Sequence, residues 1–224
     1  MTKRPKTDPR DLPAYTIGEA AHYLSVLPQT VRYWAVGRDD YPGLIDPPSR
    51  SPVLLSFLNL VELHVIAAIR RQHNVTLPKI RSAIEYLEEL YGDHHPLIRR
   101  ELETDGLDLF VEHTGKLLNI SRQGQTAMRE ILDAALKRIE RDESGIPIKL
   151  YPFTRQSVVN APAMVVIDPK LSAGRPVLKG TGLSTEVIAE RYKAGDSISN
   201  LAFDYGRTQE EIEEAIRCEL QLAA

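Results

Sequence analysis

One stretch of the chain, AGRPVLKGTGLST at residues 173–185, combines residue types that bind phosphate in nucleotide enzymes: three glycines, two cations and three hydroxyl side chains. A phosphate loop aims consecutive backbone N–H groups at the anion and then enters a helix. The Walker pattern, G-x-x-x-x-G-K followed by Ser or Thr, fails because Lys179 precedes Gly180. The dinucleotide pattern, G-x-G-x-x-G, fails because Thr185 stands at the third glycine position. The stretch therefore predicts turns between two short strands and a helix.

The other reactive side chains form no recognisable catalytic or metal-binding pattern. His94 and His95 are adjacent, but no cysteine is near them and no partner has a ligand spacing, so we expect a solvated pair. The remaining histidines are isolated in the sequence, and no serine lies in a G-x-S-x-G elbow. We therefore expect a protein that is not an enzyme and that uses no metal or cofactor.

Charge is distributed unevenly along the chain, although the formal net charge is only −3. Residues 1–38 carry six cations and three anions, whereas residues 180–224 carry four cations and nine anions. Glu210, Glu211, Glu213 and Glu214 lie within five residues, and this density predicts a solvated face or an acidic docking surface rather than acid–base catalysis. The C-terminal region is therefore suited to a basic protein, since DNA phosphates would repel it.

Length and composition limit the class of protein. With 224 residues and 42% hydrophobic residues, the chain is large enough for two or three small units with real cores. Cys218 is the only cysteine, which excludes an internal disulfide and fits a reducing compartment. No apolar run reaches the roughly 18 residues of a membrane span. We expect a soluble, cytoplasmic protein whose first ten residues form a disordered basic arm.

The segment YTIGEAAHYLSVLPQTVRYW, residues 15–34, predicts a helix-turn-helix. Thr16 and Glu19 have the spacing of a capping box, and an apolar repeat at three and four residues follows. Pro28 is placed to open a second helix after a short turn. Val31 and Trp34 can face the core, which leaves four side chains facing outward: Gln29, Thr30, Arg32 and Tyr33.

The rest of the chain predicts a mainly α fold with small β elements. Short strands at Leu44–Ile45 and Val53–Leu55 suit a wing, and helices are expected from Phe57 to about His73 and from Pro78 to Tyr91. In the middle we expect a β-hairpin at residues 105–121, a helix at Thr126–Ile139 that forms core or a dimer contact, and further strands in IKLYPF and AMVVID. Three short helices follow residue 184, the last opened by a Thr208–Glu211 capping box.

These elements divide into an arm (1–13), a helix-turn-helix domain with a wing (14–93), an α+β linking or dimerisation region (94–162) and a three-helix, helix-turn-helix-like domain (163–224). Two parts carry resemblances. YTIGEAAHYL, QTVRYW and the following GLI-P wing resemble the MerR family of winged helix-turn-helix DNA-binding domains, with Ser25 at the usual glycine turn and Leu27 at a common serine cap. The resemblance implies DNA binding by the second helix.

The second resemblance covers about Val166 to Leu220. IDPKLSAGRPVLKGTGLSTEVIAERYKAGDSISNLAFDYGRTQEEIEEAI resembles a small antitoxin-associated domain family, with Gly182 where an arginine is common. The combination is similar to larger antitoxins that pair with PIN-like ribonuclease toxins of the VapBC type. It implies an autorepressor that neutralises a cotranscribed toxin.

Specific roles follow from these patterns. We expect Gln29 and Thr30 to contact base edges, and Arg32, Tyr33 and Arg38 to hold phosphates of operator DNA. The arm would add a salt-sensitive contribution through Lys3 and Arg4. Contact with the toxin is assigned to Glu210, Glu211 and Glu214, and two DNA half-sites would require a homodimer. The alternatives are a MerR-like, ligand-responsive regulator without a toxin partner and, as the weakest hypothesis, an enzyme that uses the glycine stretch.

Overall fold

The computed structural model describes residues 8–38, 41–71, 76–92, 95–99, 102, 105–118, 122–155 and 161–220. In these residues the chain is mainly α-helical with small antiparallel β elements, which confirms the coarse fold prediction. The helices are α1 (Ile17–Leu24), α2 (Pro28–Val36), α3 (Phe57–Arg71), α4 (Leu77–Tyr91), α5 (Asp105–Leu118), α6 (Arg122–Leu136), α7 (Thr185–Lys193), α8 (Ile198–Tyr205) and α9 (Gln209–Leu220). The strands are β1 (Tyr15–Thr16), β2 (Ser49–Arg50), β3 (Val53–Leu55), β4 (Ile139–Arg141), β5 (Pro147–Leu150), β6 (Val165–Val166) and β7 (Val177–Leu178).

Helices α1 and α2 pack against each other and are joined by three residues. The predicted capping box opens α1: the Glu19 N–H donates to the Thr16 hydroxyl, and the Thr16 N–H donates to the Glu19 carboxylate. Ser25 ends α1 in the left-handed conformation, with φ of 54°, and its N–H closes the last turn. A serine therefore occupies a position that favours glycine, and it redirects the chain into α2.

A small antiparallel sheet with the strand order β1-β3-β2 lies beside α1. The prediction of a strand at Leu44–Ile45 is wrong. Leu44 donates its N–H to the Trp34 carbonyl oxygen and Ile45 is buried, so this segment closes the loop after α2 against the core. Besides β1, the strand that pairs with β3 is β2, which holds only Ser49 and Arg50; because it is short and polar, apolar alternation in the sequence does not predict it.

Helix α3 is the centre of the larger hydrophobic core. Every residue from Phe57 to Ile69 is buried, as expected for a helix covered on all sides. Three polar side chains, Asn59, Glu62 and His64, are buried with it. Helix α4 follows the predicted pattern and ends at Gly92 in the left-handed conformation. His73, where the sequence places the end of α3, lies outside the described residues.

The β-hairpin predicted at residues 105–121 is wrong, because residues 105–118 form helix α5. Its buried residues Leu107, Phe110 and Val111 have the spacing of a helix face. Gly115 lies in this helix and allows a close contact with α6. A Cβ at this position would lie 2.7 Å from the side chain of Gln125.

The helix predicted at Thr126–Ile139 is present as α6, but it begins at Arg122 and ends at Leu136. Ile139 belongs to β4, which pairs with β5 in an antiparallel hairpin. Leu150 of β5 exchanges two backbone hydrogen bonds with Ile167, so this hairpin continues into the β6–β7 hairpin that follows. The middle of the chain therefore connects by backbone pairing to the last part of the fold.

We define the C-terminal unit as residues 163–220. The β6–β7 hairpin leads into α7, α8 and α9, which enclose a small core separate from the larger one: Leu178, Ile188, Leu201, Ala202, Ile212, Ala215 and Ile216. Local signals set the helix ends, among them the predicted Thr208–Glu211 capping box. The Ser197 hydroxyl caps α8, Gly206 ends it in the left-handed conformation, and the Thr208–Glu211 capping box opens α9.

Candidate functional site

The outward side of α2 borders a groove of about 650 Å³. It is lined by the five residues of this region that the sequence assigns to DNA contact: Gln29, Thr30, Arg32, Tyr33 and Arg38. Gln29, Arg32 and Arg38 are exposed, whereas Thr30 and Tyr33 are half-buried. The groove thus gathers hydrogen-bonding side chains and guanidinium groups, which are the donors used for base edges and phosphates.

The orientation of α2 follows from the residues on its inner side. Val31, Trp34 and Ala35 are at most 1% exposed and belong to the larger core. Their burial leaves the opposite side of this nine-residue helix in solvent. The inward assignments made from the sequence are therefore confirmed. Of the outward ones, Gln29 and Arg32 are exposed, whereas Tyr33 packs in part on the larger core.

The loop after α2 places Arg38 at the end of the groove. Gly37 has φ of +82°, and a Cβ there would lie 2.1 Å from the carbonyl oxygen of Tyr41, so glycine is required. The Arg38 N–H donates to the Tyr41 carbonyl at 2.9 Å, and the Tyr41 N–H donates to the Arg38 carbonyl at 3.0 Å. Arg81 of α4 donates to two carbonyls of the same loop and braces it.

Arg70 is a candidate that the sequence analysis missed. It lies near the end of α3 and lines the groove beside the α2 residues. The signal in the sequence was weak: Arg70 is the first cation after the apolar run at residues 65–69. Arg70 lies beside Arg32 and Arg38 only because α3 packs against the helices that precede it in the chain.

The structure corrects part of the prediction that the first ten residues form a disordered basic arm. Lys3 and Arg4 lie outside the described residues, so their role stays a prediction. Arg10, which the sequence places in the same arm, is held in the fold. Its guanidinium donates to Asp8 at 2.6 Å and to Asp142 in the β4–β5 turn at 2.6 Å. The pKa of Asp142 is lowered, chiefly by this hydrogen bond from Arg10.

The expectation that Glu214 lies on a solvated face of α9 is wrong. Its side chain is 0% exposed. It accepts hydrogen bonds from the Thr154 hydroxyl, from Arg155 at 2.8 Å through Nε, and from Arg217 at 2.6 Å. Position 214 is one of the inward positions of α9, between the buried Ile212 and Ala215, so this carboxylate joins the C-terminal unit to the segment after β5.

The other two carboxylates assigned to a toxin lie nearer the surface. Glu211 forms the capping box of α9, and the hydrogen bond from the Thr208 N–H is the main reason that its pKa is lowered. It also lies 3.6 Å from Arg207. Glu210 is 60% exposed and lies 3.9 Å from Arg155. Toxin contact by Glu210 and Glu211 stays a prediction, while Glu214 offers no exposed surface for it.

A second contact of α9 reaches α1. The His22 Nε2 and Glu219 Oε2 atoms are 3.0 Å apart, and Glu219 also accepts from the Thr185 hydroxyl of α7. The hydrogen bond with Glu219 raises the pKa of His22. Burial opposes ionisation of Glu219, but the hydrogen bonds from His22 and Thr185 outweigh it and lower the pKa of this carboxyl. Nearby, the Tyr15 hydroxyl donates to the Gly174 carbonyl at 3.1 Å.

His95 is not the solvated residue that the sequence predicts; His94 lies outside the described residues. His95 Nδ1 is 3.1 Å from the carboxylate of Glu62, which is 3% exposed. Burial raises the pKa of Glu62, against the opposing influence of His95 and Asn59. Among the described residues, no group of three or more His, Cys, Asp and Glu side chains is placed to hold a metal ion.

The glycine stretch that opened the sequence analysis forms β7 and the turn into α7. The Thr181 hydroxyl donates to the Leu178 carbonyl and accepts from the Leu183 N–H, so it closes the turn. The Arg175 guanidinium pairs with Glu186 at 3.0 Å. Two groups of the stretch that could have met a phosphate are therefore used within the unit.

Known proteins are similar to this chain in sequence and in structure. Residues 165–217 match the family described as DUF433, protein of unknown function. Two curated proteins of Mycobacterium tuberculosis H37Rv are similar along almost their whole lengths. The one named "Putative antitoxin VapB45" is 28% identical, over 92% of this chain and 93% of that protein. The one named "Uncharacterized protein Rv2308" is 25% identical, over 92% and 90%.

The fold also has a solved counterpart. The crystal structure of Rv2018 from Mycobacterium tuberculosis aligns with a TM-score of 0.69 and 25% sequence identity, over 92% of this chain and 98% of that one. The chain therefore shares its overall architecture with that protein. Within the described ranges, no helix is both long and apolar enough to cross a membrane.

The buried position of Glu214 predicts unequal effects for two neighbouring substitutions. Glu214→Gln keeps the volume but removes the charge that holds two guanidinium groups, and should lower the free energy of unfolding by about 1–2 kcal/mol. Glu210→Gln, on the exposed side, should change it by less than about 0.5 kcal/mol. Urea denaturation followed by circular dichroism measures both; equal losses would contradict the assignment.

The contact between His22 and Glu219 predicts a pH-dependent stability. The folded pKa of His22 is above its ordinary 6.5, so the stabilisation is complete below pH 6.5 and is lost as the pH rises through the folded value. The lowered pKa of Glu219 keeps the pair intact down through about pH 4.5. His22→Gln should remove a contribution of about 0.5–1 kcal/mol between pH 5 and 6 and little above pH 8. Unfolding curves of both proteins at several pH values provide the measurement, and parallel pH profiles would refute it.

Proposed function

We propose that this protein is a DNA-binding antitoxin, which represses its own operon and neutralises a PIN-like ribonuclease encoded beside it. The N-terminal part would act as a MerR-like winged helix-turn-helix, with α2 as the reading helix and the β2–β3 turn as the wing. The C-terminal unit would contribute to contact with the toxin. The assembly would act as a homodimer or as a higher complex of both proteins.

The main support for the DNA-binding part of the proposal is the groove beside α2. A reading helix needs outward hydrogen-bonding residues near its N-terminus and cations near its ends. Gln29 and Thr30 occupy the first turn of α2, and the groove adds Arg32, Arg38 and Arg70. Because the formal net charge of the whole chain is −3, such a local cationic surface is what a DNA-binding role requires.

The toxin-binding part of the proposal is supported by the relatives and by the charge of the chain beyond residue 180. A curated protein aligned over 92% of this chain carries an antitoxin name. Residues 180–224 hold nine anions and four cations, which favours a basic partner and disfavours DNA.

Removing two arginines of the groove should weaken operator binding. Arg32→Ala combined with Arg38→Ala removes two phosphate contacts, so affinity for the DNA upstream of the gene should fall by about tenfold or more and the slope of log K against log salt should shrink by about 2. Gel shifts and fluorescence anisotropy at several salt concentrations measure both quantities.

The control has the same change of net charge. Lys137→Ala combined with Arg175→Ala alters two exposed cations outside the groove and should leave operator affinity within about twofold. Unchanged affinity of the Arg32/Arg38 variant at physiological salt would reject the assignment of α2 as the reading helix.

The toxin-binding half is tested with the neighbouring gene. If an adjacent reading frame encodes a PIN-like nuclease, its product should copurify with this chain at a fixed ratio, and its ribonuclease activity should be suppressed in the complex. The measurement is size-exclusion chromatography followed by an RNA cleavage assay. A nuclease that elutes alone and remains active would reject this half, while leaving DNA binding untouched.

A further inference from the structure

The C-terminal unit has an apolar groove of about 310 Å³ on the side where α9 passes the end of α7 and the start of α8. It is lined by Tyr192, Ile198, Glu213, Ile216, Arg217 and Leu220. Ile198 and Ile216 pack on the unit's own core, whereas Tyr192 and Leu220 remain 39% and 41% exposed. The volume lies at the lower end of ligand pockets and suits one or two apolar side chains of a partner.

Glu213 gives this groove a charge. The other carboxylates of α9 are engaged: Glu210 and Glu214 lie near Arg155, Glu211 near Arg207, and Glu219 near His22. Glu213 differs from them: among the described residues, no cation lies within 4.0 Å of its carboxylate.

The cation in the groove does not cancel this charge. Arg217 is 2.6 Å from the buried Glu214, which the Arg155 guanidinium also contacts. Counting these two cations with Glu210, Glu213 and Glu214, the local charge is −1, and the C-terminal region beyond residue 180 has an excess of five anions. An apolar groove with one uncompensated carboxylate is complementary to an apolar segment that carries a cation.

We infer that this groove docks a segment of the partner protein that combines apolar side chains with a lysine or arginine, and that Glu213 pairs with the cation. The inference rests on the proposed function, because it takes the partner to be the neighbouring nuclease. It replaces the surface expected from the sequence, which included the buried Glu214 and omitted Glu213. Tyr192 and Leu220 supply the exposed apolar contact, and Glu213 selects against acidic segments.

The test uses the full chain coexpressed with the nuclease of the adjacent reading frame. Glu213→Gln should weaken the complex about tenfold and Glu213→Arg about a hundredfold, because the second places a like charge against the partner's cation. Glu143→Gln and Glu143→Arg are the matched controls, since Glu143 is exposed in the β4–β5 turn. Thermal unfolding by circular dichroism checks that the Glu213 variants remain folded.

Photocrosslinking locates the contact independently. A benzoylphenylalanine in place of Tyr192 should crosslink to a nuclease segment that contains apolar residues and a lysine or arginine, identified by mass spectrometry. A second position, Phe203 of α8, is 87% exposed and tests a rival surface on the same unit. Crosslinks from position 192 together with loss of affinity at position 213 support the inference.

The remaining outcomes separate the inference from the proposed function. A stable complex that is insensitive to Glu213→Arg, or that crosslinks only through position 203, overturns the groove assignment and leaves the antitoxin role intact. Crosslinks from position 192 to a second copy of this chain also overturn it, in favour of a self-association surface. If the wild-type chain forms no complex with the nuclease, both the groove assignment and the toxin-binding role are rejected.

Discussion

Two carboxylates of the last helix point into the protein and, together with the backbone pairing of Leu150 with Ile167, join the C-terminal unit to the rest of the chain. The C-terminal unit has its own small hydrophobic core, and Ile167 is its residue that belongs to the larger one, so polar contacts supply much of the remaining junction. Glu214 accepts from Thr154, Arg155 and Arg217, and Glu219 pairs with His22 of α1. Charged groups of this kind stabilise a junction only when their partners are in place, so they also define its geometry.

This junction connects two surfaces of opposite character. Helix α1 packs against α2, which carries the cationic groove, and it also contacts α9, which carries the acidic residues. In the proposed function DNA and toxin would therefore bind to elements that share one intervening helix. In that proposal, the excess of anions beyond residue 180 would keep this region from competing for DNA, while the arginines that line the groove are exposed and lie away from the buried Val31 and Trp34.

The parts of the fold that the sequence predicts correctly are those decided by neighbours along the chain. Both capping boxes, the turn at Ser25 and the end of α4 at Gly92 form from residues no more than four positions apart. The outward residues of α2 were predictable for the same reason, since a helix with two inward residues three apart has one defined opposite side. The family resemblance of the glycine stretch also depends on a continuous run of residues.

The predictions that failed concern residues whose role depends on distant partners. The apolar residues of 105–118 fit both the alternation of a strand and the period of a helix. The close packing of Gly115 against Gln125 of α6 is possible only in the helix that the structure shows. The run of acidic residues predicts that Glu214 is solvated. In the structure, Thr154 and Arg155, about sixty positions earlier in the chain, bury it. The sequence by itself thus determined the ends of the capped helices, the coarse fold and the inward side of α2, because these follow from local hydrogen bonds and periodicity. Only the tertiary structure decided which carboxylates of α9 are inside, that Arg70 also lines the groove, and that Glu213 forms no ion pair among the described residues, because each depends on contacts between elements far apart in the chain.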